Sequence, residues 1–171
     1  MKKLLGIYTF AALVLAPGFA GAQSSPAVIG SGAHAYDWAI GTWSCTNAAP
    51  GGKAAPANQV MATRSDTTNA IVLHFIGKDS DQYAFLSYEA PSRTWWVSSA
   101  LPGGDISNES STMAGKKTVA FNGSYFVAAK GTHFHIRDTI TLASATKYID
   151  QGADDSKGSM QTNNTSTCTK S

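Results

Sequence analysis

The chain has 171 residues, enough for one domain after a short leader, and 13 basic against 11 acidic residues. Two of the basic residues, Lys2 and Lys3, stand at the very start, so the remainder carries 13 − 2 = 11 basic against 11 acidic residues and is neutral. The other charges are scattered. A nucleic-acid-binding protein needs a basic face, so we expect no nucleic-acid partner.

The N-terminus has the order of a secretory signal peptide. Lys2 and Lys3 precede an apolar run from Leu4 to Ala16, and small residues end at Ala22. The run is too short for a membrane span, so we expect cleavage near Ala22, a periplasmic or extracellular location and no stable membrane insertion. Residues 23–34 are predicted to be a flexible lead-in, and residues 35–171 a single domain.

The chain contains two cysteines, Cys45 and Cys168. In an exported protein such a pair most often forms one disulfide, which here would join the first strand of the domain to the last. The alternative is two free or metal-binding thiols. The disulfide favours a sheet that closes on itself.

In chain order, the sequence predicts strands and turns but no helix of substantial length. The first strand is predicted at 42–46, followed by a long surface loop at 47–57. Apolar-rich runs then recur at the spacing typical of a β-sandwich or an up-and-down barrel. We predict an all-β fold, a single antiparallel barrel of about 8–10 strands. The runs lie at 58–65, 70–77, 82–89, 94–101, 105–111, 117–121, 124–129, 132–141, 145–150 and 158–168.

Short turn signals separate most of these runs. Asn122-Gly123 and Lys130-Gly131 have the composition of tight hairpin turns. Each is therefore predicted to connect two strands.

The segment Asp37-Trp38-x-x-Gly41-x-Trp43-x-Cys45 resembles the start of lipocalin-like barrels, in which Gly-x-Trp opens the first strand after a short helical lead. With the signal peptide, Arg137-Asp138-Thr139 and Cys168 near the end, the chain looks like exported, uncharacterised bacterial lipocalin-like proteins, similar in layout to nitrobindin-type barrels. The resemblance implies a ligand-holding barrel. Nitrobindin-type barrels bind haem through a histidine near the C-terminus, whereas the last histidine here is His135. A haem is therefore not favoured, and no cofactor is predicted.

The same resemblance implies a structural role for Gly41, Trp43 and Arg137. Gly41 would form the bend before the first strand. The guanidinium group of Arg137 would lie over the indole of Trp43, a favourable cation–π contact. The alternative is that Arg137 pairs with a surface acid.

The predicted function is binding of a small hydrophobic or aromatic molecule. Trp95 and Trp96 are adjacent in a strand, so one of them should point into the barrel. We predict that Trp96 points inward and that Tyr88 and His74 line the same cavity. The alternative is that the aromatic side chains only fill the core of a purely structural barrel.

His133 and His135 share one face of a strand and are further ligand-binding candidates. A barrel enzyme of the isomerase or hydro-lyase type, using one of them with a carboxylate, is the alternative function. Asp37, Asp138 and Asp150 are the carboxylates considered, but the chain has no nucleophile or phosphate-loop motif, so no catalytic residue is assigned. The histidines have no Glu-rich partner segment, so no metal site is predicted.

An outer-membrane barrel is a further alternative, because the chain is long enough for eight strands. Such strands need outward-facing apolar bands of about 9–11 residues. Runs such as 106–111 and 161–169 lack them.

Overall fold

The structure is a computed structural model that describes residues 31–66, 68, 70–78, 81–112 and 117–171. Ten antiparallel strands form a closed up-and-down barrel in which each strand pairs with its neighbours in sequence and β1 pairs with β10. The predicted all-β barrel is confirmed, while the proposed signal peptide lies outside the described residues. The strands are β1 (Gly41–Ala48), β2 (Ala54–Arg64), β3 (Ile71–Gly77), β4 (Asp81–Glu89), β5 (Thr94–Ala100), β6 (Ile106–Ser111), β7 (Thr118–Val127), β8 (Thr132–Ser144), β9 (Lys147–Asp154) and β10 (Gln161–Lys170).

The disulfide prediction is confirmed. Cys45 of β1 and Cys168 of β10 lie directly opposite each other and are bonded. The bond joins positions 123 residues apart in sequence at the seam where the sheet closes. It therefore holds the first and last strands of the barrel together.

Two predicted boundaries are wrong. The loop predicted at 47–57 is shorter, because β1 continues to Ala48 and β2 begins at Ala54. Asn122-Gly123 is not a turn but lies in the middle of β7. Gly123 faces inward, and a Cβ there would overlap with the backbone of Asn108 on β6. The absence of a side chain at Gly123 thus allows β6 and β7 to approach each other closely, a known reason for glycine inside a strand.

The Lys130-Gly131 turn is formed as predicted. Gly131 has φ +62°, and its amide donates a hydrogen bond to the carbonyl oxygen of Val127 at 2.9 Å. The turn joins β7 to β8.

One end of the barrel is closed by the segment before β1. It contains two short 3-10 helices, Ser31–His34 and Asp37–Ala39. Tyr36, between them, is buried against the edge of Trp95 with ring centroids 4.6 Å apart, and it also contacts Phe121. Neither these nor any other helix of the described residues is long and apolar enough to span a membrane.

Trp43 lies beside this closed end and is 1 % exposed. Its indole N–H donates to the carbonyl oxygen of Ala39 at 2.7 Å. The cation above its ring is Lys170, with Nζ 5.1 Å from the ring centroid. Gly41 has φ +128°, and a side chain there would meet Lys170.

The predicted contact between Arg137 and Trp43 is therefore wrong. Arg137 is exposed on the outer face of β8, where its Nε donates to Asn122 Oδ1 at 3.0 Å. The physical reason is alternation, because Asp138 faces the interior and adjacent strand residues face opposite sides.

Candidate functional site

The barrel encloses a cavity of about 550 Å³. It extends from Tyr36 at the closed end to the exposed residues Pro56, Ala57 and Lys78 at the other end, where it opens to solvent. The wall formed by β2 to β5 is largely apolar, because the inward positions of these strands carry aliphatic and aromatic side chains. These are Val60, Ala62, Leu73, Phe75, Ala84, Leu86 and Val97.

The facing wall carries three carboxylic acids: Glu109 of β6, Asp138 of β8 and Asp150 of β9. We call these residues the acid cluster. Glu109 is 3 % exposed and shares a side-chain hydrogen bond with Asp138. Gly123 stands opposite Glu109 on the intervening strand, so no side chain separates the two carboxyl groups.

The surroundings of the acid cluster disfavour its charged form. Burial, followed by the charge of Asp138, raises the pKa of Glu109 to about 9. Burial also raises the pKa of Asp138, and burial together with the charge of Asp138 raises that of Asp150. Carboxyl groups that share one apolar site cannot all ionise, because desolvation and mutual repulsion both favour protonation. At neutral pH the cluster therefore holds protons.

Among the residues that the structure describes, two oxygens of the cluster find no hydrogen-bond partner. They are Glu109 Oε2 and Asp150 Oδ1, both buried. Of the described residues, none with a basic side chain forms an ion pair with the cluster. A buried polar atom without a partner is unfavourable by roughly 1–3 kcal/mol, so these oxygens mark the place where a ligand group would be stabilised most.

Gly152 lets two side-chain oxygens pack close to the backbone beside the cluster. It lies opposite Asp138 on β9, and a Cβ there would be 3.2 Å from Asp138 Oδ1 and 2.9 Å from Asn163 Oδ1. The amide of Asn163 donates to Asp154 Oδ2 at 2.5 Å, which turns its own oxygen toward Gly152. Two acceptor oxygens thus lie close to each other against a stretch of backbone that carries no side chain.

The predicted inward orientation of Trp96 is wrong. Trp96 is 43 % exposed and its indole N–H donates to Glu89 Oε2 at 3.3 Å, whereas Trp95 is fully buried. The register decides the orientation, because Tyr88 pairs with Trp95 across the β4–β5 hairpin. Tyr88 points inward as predicted, but it packs on Trp95 in the closed end and does not line the cavity.

The prediction that His74 lines the cavity is also wrong. Its ring stacks on Tyr83 at 4.2 Å, and its Nε2 lies 2.6 Å from Asp81 Oδ1. Tyr83 is 45 % exposed on the outer face of β4. His74 shares that outer face, so it points away from the cavity.

His133 and His135 also lie outside the cavity, exposed on β8. His135 Nδ1 is 2.9 Å from Asp155 Oδ2. Asp138 and Asp150, considered as their catalytic partners, face the interior instead, since even and odd residues of β8 face opposite sides.

The third carboxylate considered, Asp37, lies near the closed end of the barrel. It forms ion pairs with Arg64 and His34. Within the described residues, no group of three or more His, Cys, Asp and Glu side chains has the arrangement of a metal site.

Sequence reasoning missed Glu109 altogether. It lies in the polar run Ile106–Ser111, which has no apolar alternation to indicate which side faces the core. The available signal is that every second residue of a strand faces the same side, which puts Ser107 and Ser111 on the same face as Glu109. Small polar neighbours on one face indicate an interior with room.

Fold and site together define a closed ten-stranded antiparallel barrel with an interior cavity. No protein-family model matches the sequence, and no curated protein is similar enough to count as a match. Among solved structures, a redesigned β-barrel is similar to this chain with 14% sequence identity and a TM-score of 0.40, covering 81% of this chain and 96% of the other. A TM-score this low carries no argument about function.

Proposed function

We propose that the chain is a lipocalin-like binding protein that holds a small hydrophobic or aromatic molecule inside its barrel. The observation that carries the proposal is the cavity of about 550 Å³ with its apolar wall on β2 to β5. Small-molecule sites are typically concave, mostly apolar and roughly 300–1,000 Å³ in volume, with a few polar groups that fix orientation. The cavity has the size, wall and opening that such a ligand needs.

A purely structural barrel is the less favoured alternative. Dense packing of large side chains occurs around Tyr36, Trp95 and Phe121 at the closed end. Toward the open end the inward positions include Gly77 and Ser99, which are too small to fill the interior. A barrel that served only as a scaffold would gain stability from larger side chains at these positions.

The proposed location is the periplasm or the extracellular space. The disulfide between Cys45 and Cys168 supports it, because disulfides persist in oxidising compartments. Gly41 and Trp43, at the entrance to β1, support the proposed lipocalin-like membership through the backbone conformation of the glycine and the burial of the indole.

The two other functions considered receive less support. A catalytic histidine–carboxylate pair would need His133 or His135 beside Asp138 or Asp150, and they occupy opposite faces of the sheet. An outer-membrane barrel would need an apolar outer surface, whereas the outward positions of β8 include His133, His135 and Arg137, all exposed.

The test uses 9-anthracenemethanol, a neutral aromatic probe. Bound inside the barrel, the probe would lie close to Trp38 and Trp43, both of which line the cavity. Excitation of tryptophan should therefore sensitise anthracene emission, with saturation at one probe per chain. Absence of saturable emission with this and other neutral aromatic probes would overturn the proposal.

A matched pair of variants locates the bound probe. Ser99 lines the cavity, whereas the adjacent Ser98 is exposed on the outer face. Ser99→Phe should weaken binding by occupying the cavity, and Ser98→Phe should leave it unchanged. Equal effects of the two substitutions would mean that the probe binds elsewhere.

A further inference from the structure

An interior built only to hold an apolar molecule does not need the acid cluster. Glu109, Asp138 and Asp150 face the cavity, and within the described residues one oxygen of Glu109 and one of Asp150 are buried without a hydrogen-bond partner. Each buried polar atom without a partner lowers stability. Three acids gathered at one place in the interior therefore point to a role in recognition.

We propose that the acid cluster binds the basic nitrogen of an amphiphilic organic cation, an amine or amidine whose apolar body lies against β2 to β5. The inference rests on the proposed function, because it assigns the chemistry of the ligand in the same cavity. The nitrogen donates hydrogen bonds to Asp150 Oδ1 and Glu109 Oε2, the two buried oxygens that lack a partner among the described residues.

The acceptors around the cluster fit a nitrogen that donates several hydrogen bonds. Besides the two unpartnered oxygens, Asp138 Oδ1 and Asn163 Oδ1 converge on the space above Gly152. A primary ammonium group has three N–H donors and no acceptor. An alcohol has one donor, and a carboxylate has none to offer the unpartnered oxygens, so the oxygen-rich wall favours a cation.

Within the described residues, no basic side chain forms an ion pair with the acid cluster. On the strands around the cluster, the inward titratable groups are Glu109 of β6, Tyr125 of β7, Asp138 of β8, and Tyr148 and Asp150 of β9. On β10, Lys170 lies at the closed end, over the ring of Trp43. Lys78 also lines the cavity, but it is exposed at the open end. The inward side chains of β6 to β9 thus supply the cluster with acids and phenols only, and we assign its counter-ion to the ligand.

Binding of the cation displaces a proton. The cluster holds protons when the cavity is empty, and a bound cation favours the ionised carboxylate through direct charge pairing. One carboxyl group releases its proton to solvent while the ammonium group keeps its own. By linkage, the affinity for the cation should rise with pH as long as the ligand nitrogen remains protonated.

The test compares 9-(aminomethyl)anthracene with 9-anthracenemethanol, which has the same ring and differs in the terminal group. At pH 8 the amine should bind about 10–100-fold more tightly, the range expected for hydrogen bonds to charged groups. Calorimetry in phosphate and in Tris should report release of about one proton per amine bound and none for the alcohol.

Three variants test the assignment to the cluster. Glu109→Gln and Asp150→Asn should each reduce the preference for the amine by about tenfold or more while the alcohol still binds. Asp66→Asn, on the exposed surface, should leave both affinities unchanged. If one cluster variant fails to fold, the other variant and the proton count on the wild-type protein still decide the question.

The failure of this inference differs from the failure of the proposed function. If the alcohol binds as tightly as the amine, or if amine binding releases no proton, the inference is overturned and the barrel is a carrier of neutral apolar molecules. If neither probe binds, the proposed function falls as well.

Discussion

Replacing Glu109 by glutamine should remove much of the pH dependence of the stability of the barrel. The folded state raises the pKa of this carboxyl group to about 9, chiefly through burial, whereas an unfolded chain ionises it near 4.3. Between these two values the folded state binds a proton that the unfolded state has lost. The contribution of Glu109 to the free energy of unfolding is therefore fully present below about pH 4 and is lost as the pH rises toward 9.

The size of the change in the free energy of unfolding follows from the difference between the pKa of Glu109 in the folded and the unfolded chain. One group contributes at most about 1.4 kcal/mol per pH unit. From pH 5 to pH 8 the fall due to Glu109 is thus about 4 kcal/mol as an upper value, and about 2 kcal/mol if the interior adjusts to the charge. Asp138 and Asp150 add to the fall in the same direction, since burial raises their pKa as well.

The assay is urea unfolding of the oxidised protein followed by tryptophan fluorescence at several pH values between 5 and 8. Glu109→Gln should have a shallower profile than the wild type and equal or exceed its stability at pH 8. Glu89, the other glutamate of the chain, has a pKa lowered by Ser92 and Trp96, so Glu89→Gln should preserve the wild-type slope in this range. A flat wild-type profile, or identical slopes for wild type and Glu109→Gln, would refute the reasoning.

Three other predictions concern the framework. Reduction of the Cys45–Cys168 bridge, which spans 123 residues, should lower the free energy of unfolding by up to about 5 kcal/mol; free thiols in the oxidised protein would contradict this. Gly123→Ala should lower the free energy of unfolding by about 3 kcal/mol or more, because the added Cβ would overlap with the β6 backbone. In the control Gly51→Ala the added Cβ meets no neighbour, so the loss should be about 1 kcal/mol. Equal shifts of the melting temperature for the two variants would be inconsistent with the close approach of β6 and β7. Lys170→Met should cost roughly 1 kcal/mol and alter the intrinsic tryptophan fluorescence, and an unchanged spectrum would rule out the cation–π contact.

The architecture was predictable because strands and turns leave local signals. The apolar run of β3 and the turn at Lys130-Gly131 indicate their own structure, and two cysteines allow one disulfide. Gly123 shows the limit of this reasoning. Asn-Gly is a strong hairpin signal, but the same glycine also suits a strand that must approach its neighbour closely, and only the pairing with β6 decides between the two.

The interior was harder to predict because orientation depends on register. If the pairing of β4 with β5 shifted by one residue, Trp96 would face inward and Trp95 outward. The four-residue turn between the two strands sets this register. Asp138 and Asp150 were recognised as candidates but were paired with outward-facing histidines. Glu109 joins them because β6 and β8 both pair with β7 and the inward-facing Gly123 leaves no side chain between them, a relation between strands that no local pattern contains.

The most direct test of the central claim is to locate a bound ligand by NMR in the isotope-labelled protein. With 9-(aminomethyl)anthracene bound, intermolecular NOEs should connect the anthracene protons to the methyl groups of Leu73 and Val97, which line the cavity. The outward-facing Val72 and Ile76 should show none. NOEs to these outer methyl groups, with none to the inner ones, would contradict the claim that the interior of the barrel is the binding site.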